Sequence, residues 1–354
     1  MSLYPTFSQR TKSRLAPALA LLLSLGGLPY TKCALANTAS DEDALANQAS
    51  LASVATRITA SELSQAISGH LMGLGGSFRI RLGQSSPIPQ TGWLLASNAA
   101  TPLPREETFD WSAVSLWATP VISGVENRIK PLTSEGTVKV LILGAEYAFS
   151  DQARVAGLAI SKDWLDIDTT YNQGKVTGTG LTFSPYLAWQ LNTEWTLDAS
   201  LGVGSSSTTA KTPSLRSEPD LDRRFLSLGL THARALGKWY LLSKASLTGS
   251  EDEVKAFVSS NGQTSAASTT RLNQLKLGVY AIYNRPTVSP FVAVYHLAND
   301  FSVSGASGVK PVEYSNTQQL QLGLNASSGP LYGALAYQAE RGRSQWRLYG
   351  GIRY

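Results

Sequence analysis

The sequence predicts an all-β fold, a twelve-stranded antiparallel transmembrane β-barrel, with one α-helix N-terminal to it. Twelve segments between residues 109 and 354 alternate apolar and polar side chains with a period of two, as strands with one apolar and one polar face do. Short turns alternate with long polar loops between these segments, and an export signal precedes them. An even number of such strands behind an export signal is typical of barrels in the outer membrane of Gram-negative bacteria.

Residues 1–36 have the three parts of a secretory signal peptide. The start is basic, residues 15–28 are mostly apolar, and Ala34-Leu35-Ala36 places small residues where a signal peptidase reads them. We therefore expect export by the general secretory route and cleavage before Asn37. The apolar run is short for a membrane-spanning helix of about 20 residues. The only cysteine, Cys33, is not preceded by a small residue, so we expect neither a lipid anchor nor a disulfide in the mature chain.

The charge of the mature chain gives no support for a nucleic-acid partner. The predicted signal holds four of the 30 Lys and Arg residues and no acid, which leaves 26 basic against 25 acidic side chains. A chain with so small a net charge lacks the basic excess that is typical of nucleic-acid binding.

Residues 37–76 predict one long helix followed by its end. Apolar side chains recur there at helical spacing and glycines close the pattern; the apolar positions include Leu51, Val54, Ile58, Leu63, Ile67 and Leu71. A helix over residues 46–72 would be about 40 Å long at about 1.5 Å per residue, enough to cross a barrel lumen. We expect this helix to lie in the lumen and plug the pore; a stalk in the periplasm is the alternative.

Residues 77–108 are less regular. Phe78 and Ile80 alternate with Arg79 and Arg81 as in a strand, but several prolines follow between residues 87 and 104. Proline lacks the N–H that a central strand needs. We expect this segment to be a linker or a small hairpin outside the bilayer.

The barrel is predicted over residues 109–354. Its strands are expected at 109–121, 136–149, 152–164, 176–191, 193–207, 222–236, 238–249, 270–284, 287–301, 314–327, 330–340 and 344–354. Tight turns and longer loops alternate between them, and we expect the tight turns in the periplasm and the loops outside the cell.

Apolar residues at alternate positions of each strand are predicted to face lipid, such as Leu201 in the fifth strand and Leu277 in the eighth. Aromatic side chains collect beside the tight turns and predict a girdle at the periplasmic interface; they are Trp189, Trp195, Trp239, Tyr283, Phe291 and Tyr354. A soluble β-sandwich also alternates, but it has no reason to collect aromatic residues beside tight turns.

The other face of the strands is predicted to line the lumen. Its charged and polar candidates are Glu146, Arg154, Asp198, Lys244, Lys276, Gln321 and Arg347. An ion-selective pore is usually lined by one sign of charge. Charges of both signs suit a lumen that holds a helix through hydrogen bonds and ion pairs, and a small open pore of the porin type is the alternative.

Four short motifs carry a family resemblance. They are Gly144-Ala145-Glu146-Tyr147, the run from Val155 to Ser161, Pro185-Tyr186-Leu187-Ala188-Trp189 and Trp195-Thr196-Leu197-Asp198. In this order and spacing the chain resembles the autotransporter β-domain from about Trp111 to Tyr354.

The resemblance implies a twelve-stranded translocator barrel in outer-membrane lipid, with a helix through its pore. It also implies insertion by the barrel-assembly machinery, which reads a C-terminal strand that ends in an aromatic residue. The residues that match this insertion signal are Trp346, Leu348, Ile352 and Tyr354. Autotransporters normally carry a large passenger, whereas about 70 residues separate Ala36 from the first predicted strand. We therefore expect a structural or translocator-like role rather than secretion of a large effector.

No motif in the chain indicates catalysis, a metal or a cofactor. Outer-membrane phospholipases are twelve-stranded and carry a His-x-Ser arrangement, but here Ala298 stands where the serine nucleophile would follow His296. We expect His296 to point into the lumen as a hydrogen-bonded structural residue. The other histidines, His70 and His232, do not form a pair with metal-ligand spacing. A lipid hydrolase is thus the weakest alternative.

Overall fold

A computed structural model describes residues 51, 53–71, 78–81, 113–130, 132–149, 153–285, 287–305, 315–328 and 331–352 of the chain. The predicted signal peptide and residues 82–112 lie outside these ranges.

Twelve long strands form one closed antiparallel sheet. Each strand pairs with the next along the chain, and the last pairs with the first. The strands are β1 (Val114–Asn127), β2 (Ser134–Ala148), β3 (Arg154–Thr169), β4 (Gly174–Gln190), β5 (Trp195–Lys211), β6 (Asp220–Leu236), β7 (Trp239–Val254), β8 (Ser268–Tyr283), β9 (Val288–Ser304), β10 (Asn316–Ser328), β11 (Leu331–Glu340) and β12 (Arg343–Ile352). The predicted fold class, an all-β twelve-stranded antiparallel barrel, is confirmed.

The two ends of the barrel differ in their connections. At the end where β1 begins and β12 ends, consecutive strands are joined by at most five residues, as between β6 and β7. We call this the turn end. The opposite end, which we call the loop end, carries the longer connections 212–219, 255–267 and 305–315. Two of these loops contain short strands of their own, Arg216–Ser217 and the pair Phe257–Val258 and Thr264–Ser265.

Several strands are longer than the sequence predicts, and they gain their length at the loop end. β3 reaches Thr169 rather than residue 164, and β7 reaches Val254 rather than residue 249. Side chains such as Asp166 and Glu253 are exposed there. The apolar alternation that located the strands stops at these positions, while the backbone pairing continues past them.

The faces of the barrel are opposite in character. Leucines on the outer face are about half exposed, for example Leu181 and Leu247 at 55%. Alternate positions on the inner face are buried and largely polar, for example Thr182 and Ser200. An exposed apolar belt around a closed sheet is the surface that a hydrocarbon layer covers.

One helix, α1 (Ser53–Leu71), precedes the barrel. Its start at Ser53 is later than the predicted residue 46, and residues 46–50 lie outside the described ranges. Ala60, Leu63 and Ile67 of α1 are buried in one apolar cluster with Val140 and Val176 of the barrel wall. In the part of the chain that the structure describes, no helix combines the length and the hydropathy needed to span a membrane.

A four-residue strand lies in the segment predicted as a linker. Phe78–Arg81 pairs antiparallel with Ser115–Ala118 of β1, and we call it the strap strand. The expected linker or separate hairpin is therefore wrong for these four residues, because they add to the barrel sheet itself. The alternation of Phe78 and Ile80 with arginines was the signal for this pairing, and the prolines that argued against it all lie after the strand.

Candidate functional site

The candidate site is the inner face of the barrel together with the helix that packs on it. The backbone of the helix lies close to the backbones of strands β2 to β7. The Glu62 side chain of the helix reaches β12, where it contacts Arg347. Polar groups that are buried in such a place need partners, because an unpaired buried donor or acceptor costs about 1–3 kcal/mol. Several of the buried polar groups of the inner face find their partners on the helix or on another wall strand.

A buried ion pair joins the middle of the helix to the last strand. Arg347 Nη1 of β12 donates to Glu62 Oε1 of α1 at 2.6 Å, and the two side chains are 6% and 4% exposed. A second guanidinium nitrogen of Arg347 donates to the Gln338 side-chain oxygen on β11. The guanidinium thus bridges the helix and two wall strands, which orients it as well as neutralising it.

Two further groups of hydrogen bonds connect the helix to the opposite part of the wall. Thr56 Oγ1 donates to Asp252 Oδ1 of β7 at 2.6 Å. Ser64 Oγ donates to Asp198 Oδ2 of β5 at 3.1 Å and accepts from Lys244 Nζ of β7 at 3.3 Å. The helix is therefore held at three heights along its length.

These contacts also fix the direction of the helix. Asp252 lies near the loop end of β7, whereas Asp198 and Lys244 lie near the turn end of β5 and β7. Because Thr56 contacts the first and Ser64 contacts the other two, the N-terminal end of α1 faces the loop end and its C-terminal end faces the turn end.

Other polar groups of the inner face pair within the wall. Arg223 Nη1 donates to Asp163 Oδ2 at 2.6 Å, and both side chains are almost fully buried. Lys276 Nζ donates to Gln319 Oε1 at 2.8 Å and lies 4.1 Å from the centre of the Tyr295 ring. These pairs link strands that are not neighbours in sequence, such as β3 with β6.

A third wall contact surrounds Trp117. Its indole nitrogen donates to the Tyr186 hydroxyl at 2.7 Å, and that hydroxyl donates to Glu146 Oε2 at 3.0 Å. The Trp117 ring covers Gly144 on the adjacent strand, where an added Cβ would lie 2.1 Å from it. The glycine leaves the space that the ring fills.

The structure places six of the seven predicted lumen residues on the inner face. Five of them, Glu146, Asp198, Lys244, Lys276 and Arg347, make the contacts described above, and Gln321 is buried on β10. Arg154 is the exception, and its prediction is wrong. It is exposed at the start of β3, on the face that carries Leu158 and Ile160, and its guanidinium lies 5.4 Å from the centre of the Phe149 ring. At a strand end a long cationic side chain can reach the aqueous interface from the outer face, so its charge does not require the lumen.

Two residues of β9 lie on the face opposite to the predicted one. His296 follows the alternation of Val292 and Val294 on the outer face, whereas Phe291 is buried on the inner face against Tyr280. Tyr295 turns inward to pack on Lys276, and this contact fixes the register that sends His296 outward. Of the other residues predicted for the girdle, Trp189, Trp195 and Trp239 are exposed on the outer face.

The C-terminal strand is described in part. Trp346 and Leu348 are exposed on the outer face of β12. Ile352 is the last residue of the strand, and its side chain lies outside the described residues, as does Tyr354.

The helix partners Thr56, Glu62 and Ser64 and the wall pair Asp163–Arg223 were not predicted. The signal for Asp163 and Arg223 was available, because both lie at inward positions of their strands: Arg223 lies between the buried Leu221 and Phe225, and Asp163 lies next to the buried Leu165. The helix residues carried no comparable signal, since polar residues on a predicted helix ordinarily face water. Among the described residues, no group of three His, Cys, Asp or Glu side chains is arranged to hold a metal ion.

The family model of the autotransporter β-domain matches residues 127–330, more than half of the chain. The protein belongs to the autotransporter β-domain family. This is a family of translocator barrels rather than of enzymes, and its β-domains sit in the bacterial outer membrane. No curated protein sequence matches the chain significantly.

Solved autotransporter domains share the fold. The β-domain of the Bordetella autotransporter BrkA has 17% sequence identity and a TM-score of 0.51, over 66% of this chain and 97% of that one. The translocator domain of the autotransporter NalP from Neisseria meningitidis has 10% identity and a TM-score of 0.54, over 68% of this chain and 88% of that one. At these identities the likeness supports the barrel architecture alone.

Proposed function

We propose that the protein is an outer-membrane translocator barrel whose pore is plugged by its own helix α1. On this proposal the barrel holds its N-terminal segment in and across the membrane and catalyses no reaction. The proposal also includes export by the general secretory route and insertion into outer-membrane lipid by the barrel-assembly machinery, which the exposed apolar belt and the outward Trp346 and Leu348 support.

The observation that carries the plug is the buried contact of Glu62 with Arg347. A charged pair that is withdrawn from water is stabilising only when its geometry is good and its remaining donors are used. Arg347 donates to Glu62 and to Gln338, while its buried Nε has no partner among the described residues. Without α1 the buried guanidinium would also lose its carboxylate partner. Thr56 and Ser64 bind the other side of the wall, and contacts on two sides support a helix that crosses the lumen rather than one that follows a single strand.

The direction of the helix gives the proposal a topology. If the turn end is periplasmic, as short turns are in outer-membrane barrels, the N-terminal end of α1 faces the cell exterior. The chain before Ser53 would then emerge on the cell surface. This is the arrangement expected of a translocator that has carried its own N-terminal segment outward.

A planar-bilayer conductance measurement tests the plug. We expect the mature protein to conduct poorly and a variant that lacks residues 37–76 to conduct as an open pore, because an unoccupied barrel of this size passes water and ions. Glu62→Lys should raise the open probability, since it places a second cation against Arg347.

Two variants serve as controls for the conductance experiment. Glu135→Lys makes the same charge change on an exposed position of β2 and should leave the trace unchanged. Glu62→Lys combined with Arg347→Glu restores opposite charges and should close the pore again. Equal conductance of the mature protein, Glu62→Lys and the deletion would contradict the plug and favour the open pore or the periplasmic stalk.

A further inference from the structure

The seam where the barrel closes is paired unevenly. β1 pairs with β2 along its whole length, from Val114 to Asn127. On its other edge β1 pairs with β12 only from Val121 to Asn127. Towards the turn end that edge is taken by the strap strand, whose Phe78–Arg81 pair with Ala118 to Ser115. Four residues from outside the barrel therefore cover this part of the β1 edge.

The end of β12 stops short of the same edge. Residues up to Ile352 remain paired with β11, where Ile352 lies opposite Leu331. If the β12–β1 register continued past Tyr349 and Val121, Ile352 would lie opposite Ala118. In the structure Ala118 lies opposite Phe78 instead. The strap strand and the end of β12 thus fit the same positions on β1 and cannot occupy them together.

The junction between the two partners of β1 lies at Pro120. This residue falls between Val121, which pairs with β12, and Ala118, which pairs with the strap strand. Proline has no N–H, so the ladder of β1 lacks one donor at this point. A strand pairing that ends at Pro120 loses fewer hydrogen bonds than one that ends at a residue with an N–H. We therefore expect separation of β12 from β1 to stop at Pro120.

We propose that the edge of β1 from Ser115 to Ala118 is a strand-exchange site, which the strap strand and the end of β12 occupy alternately. An unpaired strand edge within a hydrocarbon layer leaves several backbone groups without partners, each at a cost of several kcal/mol. The edge must therefore be covered by one strand or the other. With the strap strand inserted, the turn end of the barrel carries an additional strand, which widens the sheet there by about 4.8 Å.

The exchange has a consequence for the helix. Seven chain steps connect Leu71, the last residue of α1, to Phe78, and a fully extended chain spans about 25 Å over that distance. Movement of α1 out through the loop end by more than this distance would pull the strap strand off β1 and let β12 close the seam. This consequence rests on the proposed role of α1 as the plug, whereas the exchange itself does not.

Disulfide cross-linking in outer-membrane fractions tests the exchange. In a Cys33→Ser background the chain has no cysteine. Opposed residues in antiparallel strands have Cα atoms about 4.5–5.5 Å apart, within the range that a disulfide bridges. A cross-link between Phe78→Cys and Ala118→Cys detects pairing of the strap strand with β1. A cross-link between Ala118→Cys and Ile352→Cys detects pairing of the end of β12 with β1. Ala118→Cys with Leu143→Cys, which joins β1 to β2, is the control for a folded barrel.

We expect the first pair to cross-link and the second to cross-link weakly in the full chain. Replacement of Phe78–Arg81 by Gly-Ser-Gly-Ser should raise the yield of the second pair by roughly tenfold, since loss of a competing strand with few hydrogen bonds shifts the equilibrium by about that factor. The control pair should not change. Should the replacement fail to assemble, Ile80→Pro is a milder variant for the same comparison.

Equal cross-linking of Ala118→Cys with Ile352→Cys in the presence and absence of the strap sequence would overturn the exchange. So would failure of the Phe78→Cys and Ala118→Cys pair to cross-link while the control pair does. Neither result depends on whether the pore conducts, so failure of this proposal can be told apart from failure of the plug.

Discussion

At the scale of single residues, each barrel side chain lies against one of two media, and its place in the alternation decides which. Leu277 on β8 is exposed on the outer face, and its neighbour Lys276 lies on the inner face in contact with Gln319 and Tyr295. A lysine can lie one residue from a lipid-facing leucine because successive side chains point to opposite faces. A single-residue shift in register would place Lys276 in hydrocarbon.

The cost in stability of a charged substitution on the outer face should therefore depend on its depth in the bilayer. We expect Leu277→Arg to lower the free energy of unfolding by about 2–4 kcal/mol, the cost of Arg near the middle of the bilayer. Asn273→Arg is the matched control, because Asn273 is exposed on the same strand and face but lies four residues closer to the loop end. Urea titrations of protein refolded into lipid vesicles measure both. Equal destabilisation by the two substitutions would show that the apolar belt does not mark the bilayer.

The residues that the sequence misplaced share a cause. Arg154 and His296 were assigned to the lumen because they are polar, yet both lie on the outer face. Near a strand end an outward Arg can reach water. For His296 the deciding contact is Tyr295 with Lys276, which joins β9 to β8. Polarity alone gives the wrong face where a contact with another strand fixes the register.

At the scale of elements, all twelve strands were predictable because the membrane imposes the same local rule on each of them: apolar side chains alternate with polar ones. The rule ends where the membrane ends, so the extensions of β3 and β7 at the loop end were missed. The helix was predictable from its spacing, whereas its partners were not. Contacts such as Thr56 with Asp252 join residues 196 positions apart, and no local pattern encodes that pairing. The strap strand was obscured for the same reason, since its partner β1 lies beyond the proline-containing segment.

The continuity of α1 leads to a prediction at this scale. Ser61 is exposed and lies between Thr56 and Glu62, the two residues that bind opposite parts of the wall. Ser61→Pro should interrupt the helix at a cost of about 3 kcal/mol and separate these contacts, because proline removes a helical hydrogen bond and clashes with the preceding turn. We expect raised conductance with an intact, heat-modifiable barrel.

The control for this prediction is Ser61→Ala, which keeps the helix and should conduct as the unsubstituted protein does. Identical traces for the proline and alanine variants would indicate that helix continuity between Thr56 and Glu62 is not what limits the pore.

At the scale of the whole molecule, the two ends of the barrel should face different compartments. The loop end carries the three longest connections and the N-terminal end of α1, while every connection at the turn end is five residues or shorter and the strap strand lies there. In outer-membrane barrels short turns are periplasmic and loops extracellular. The same orientation places the start of α1 towards the cell exterior, so the sidedness of the barrel and the direction of the helix can be tested together.

Cysteine labelling in intact cells measures this sidedness. In the Cys33→Ser background, Asn261→Cys lies in the exposed loop between β7 and β8, and Arg285→Cys lies in the turn between β8 and β9. We expect a membrane-impermeant maleimide to label Asn261→Cys in intact cells and Arg285→Cys only after the outer membrane is permeabilised. A cysteine at Leu51, just before the helix, should be labelled with the loop position, because the helix contacts at Thr56 and Ser64 direct its N-terminal end outward. Labelling of Arg285→Cys in intact cells would show that the barrel has the opposite orientation in the membrane. Labelling of Leu51→Cys only under the conditions that label Arg285→Cys would show that the helix has the opposite direction inside the barrel.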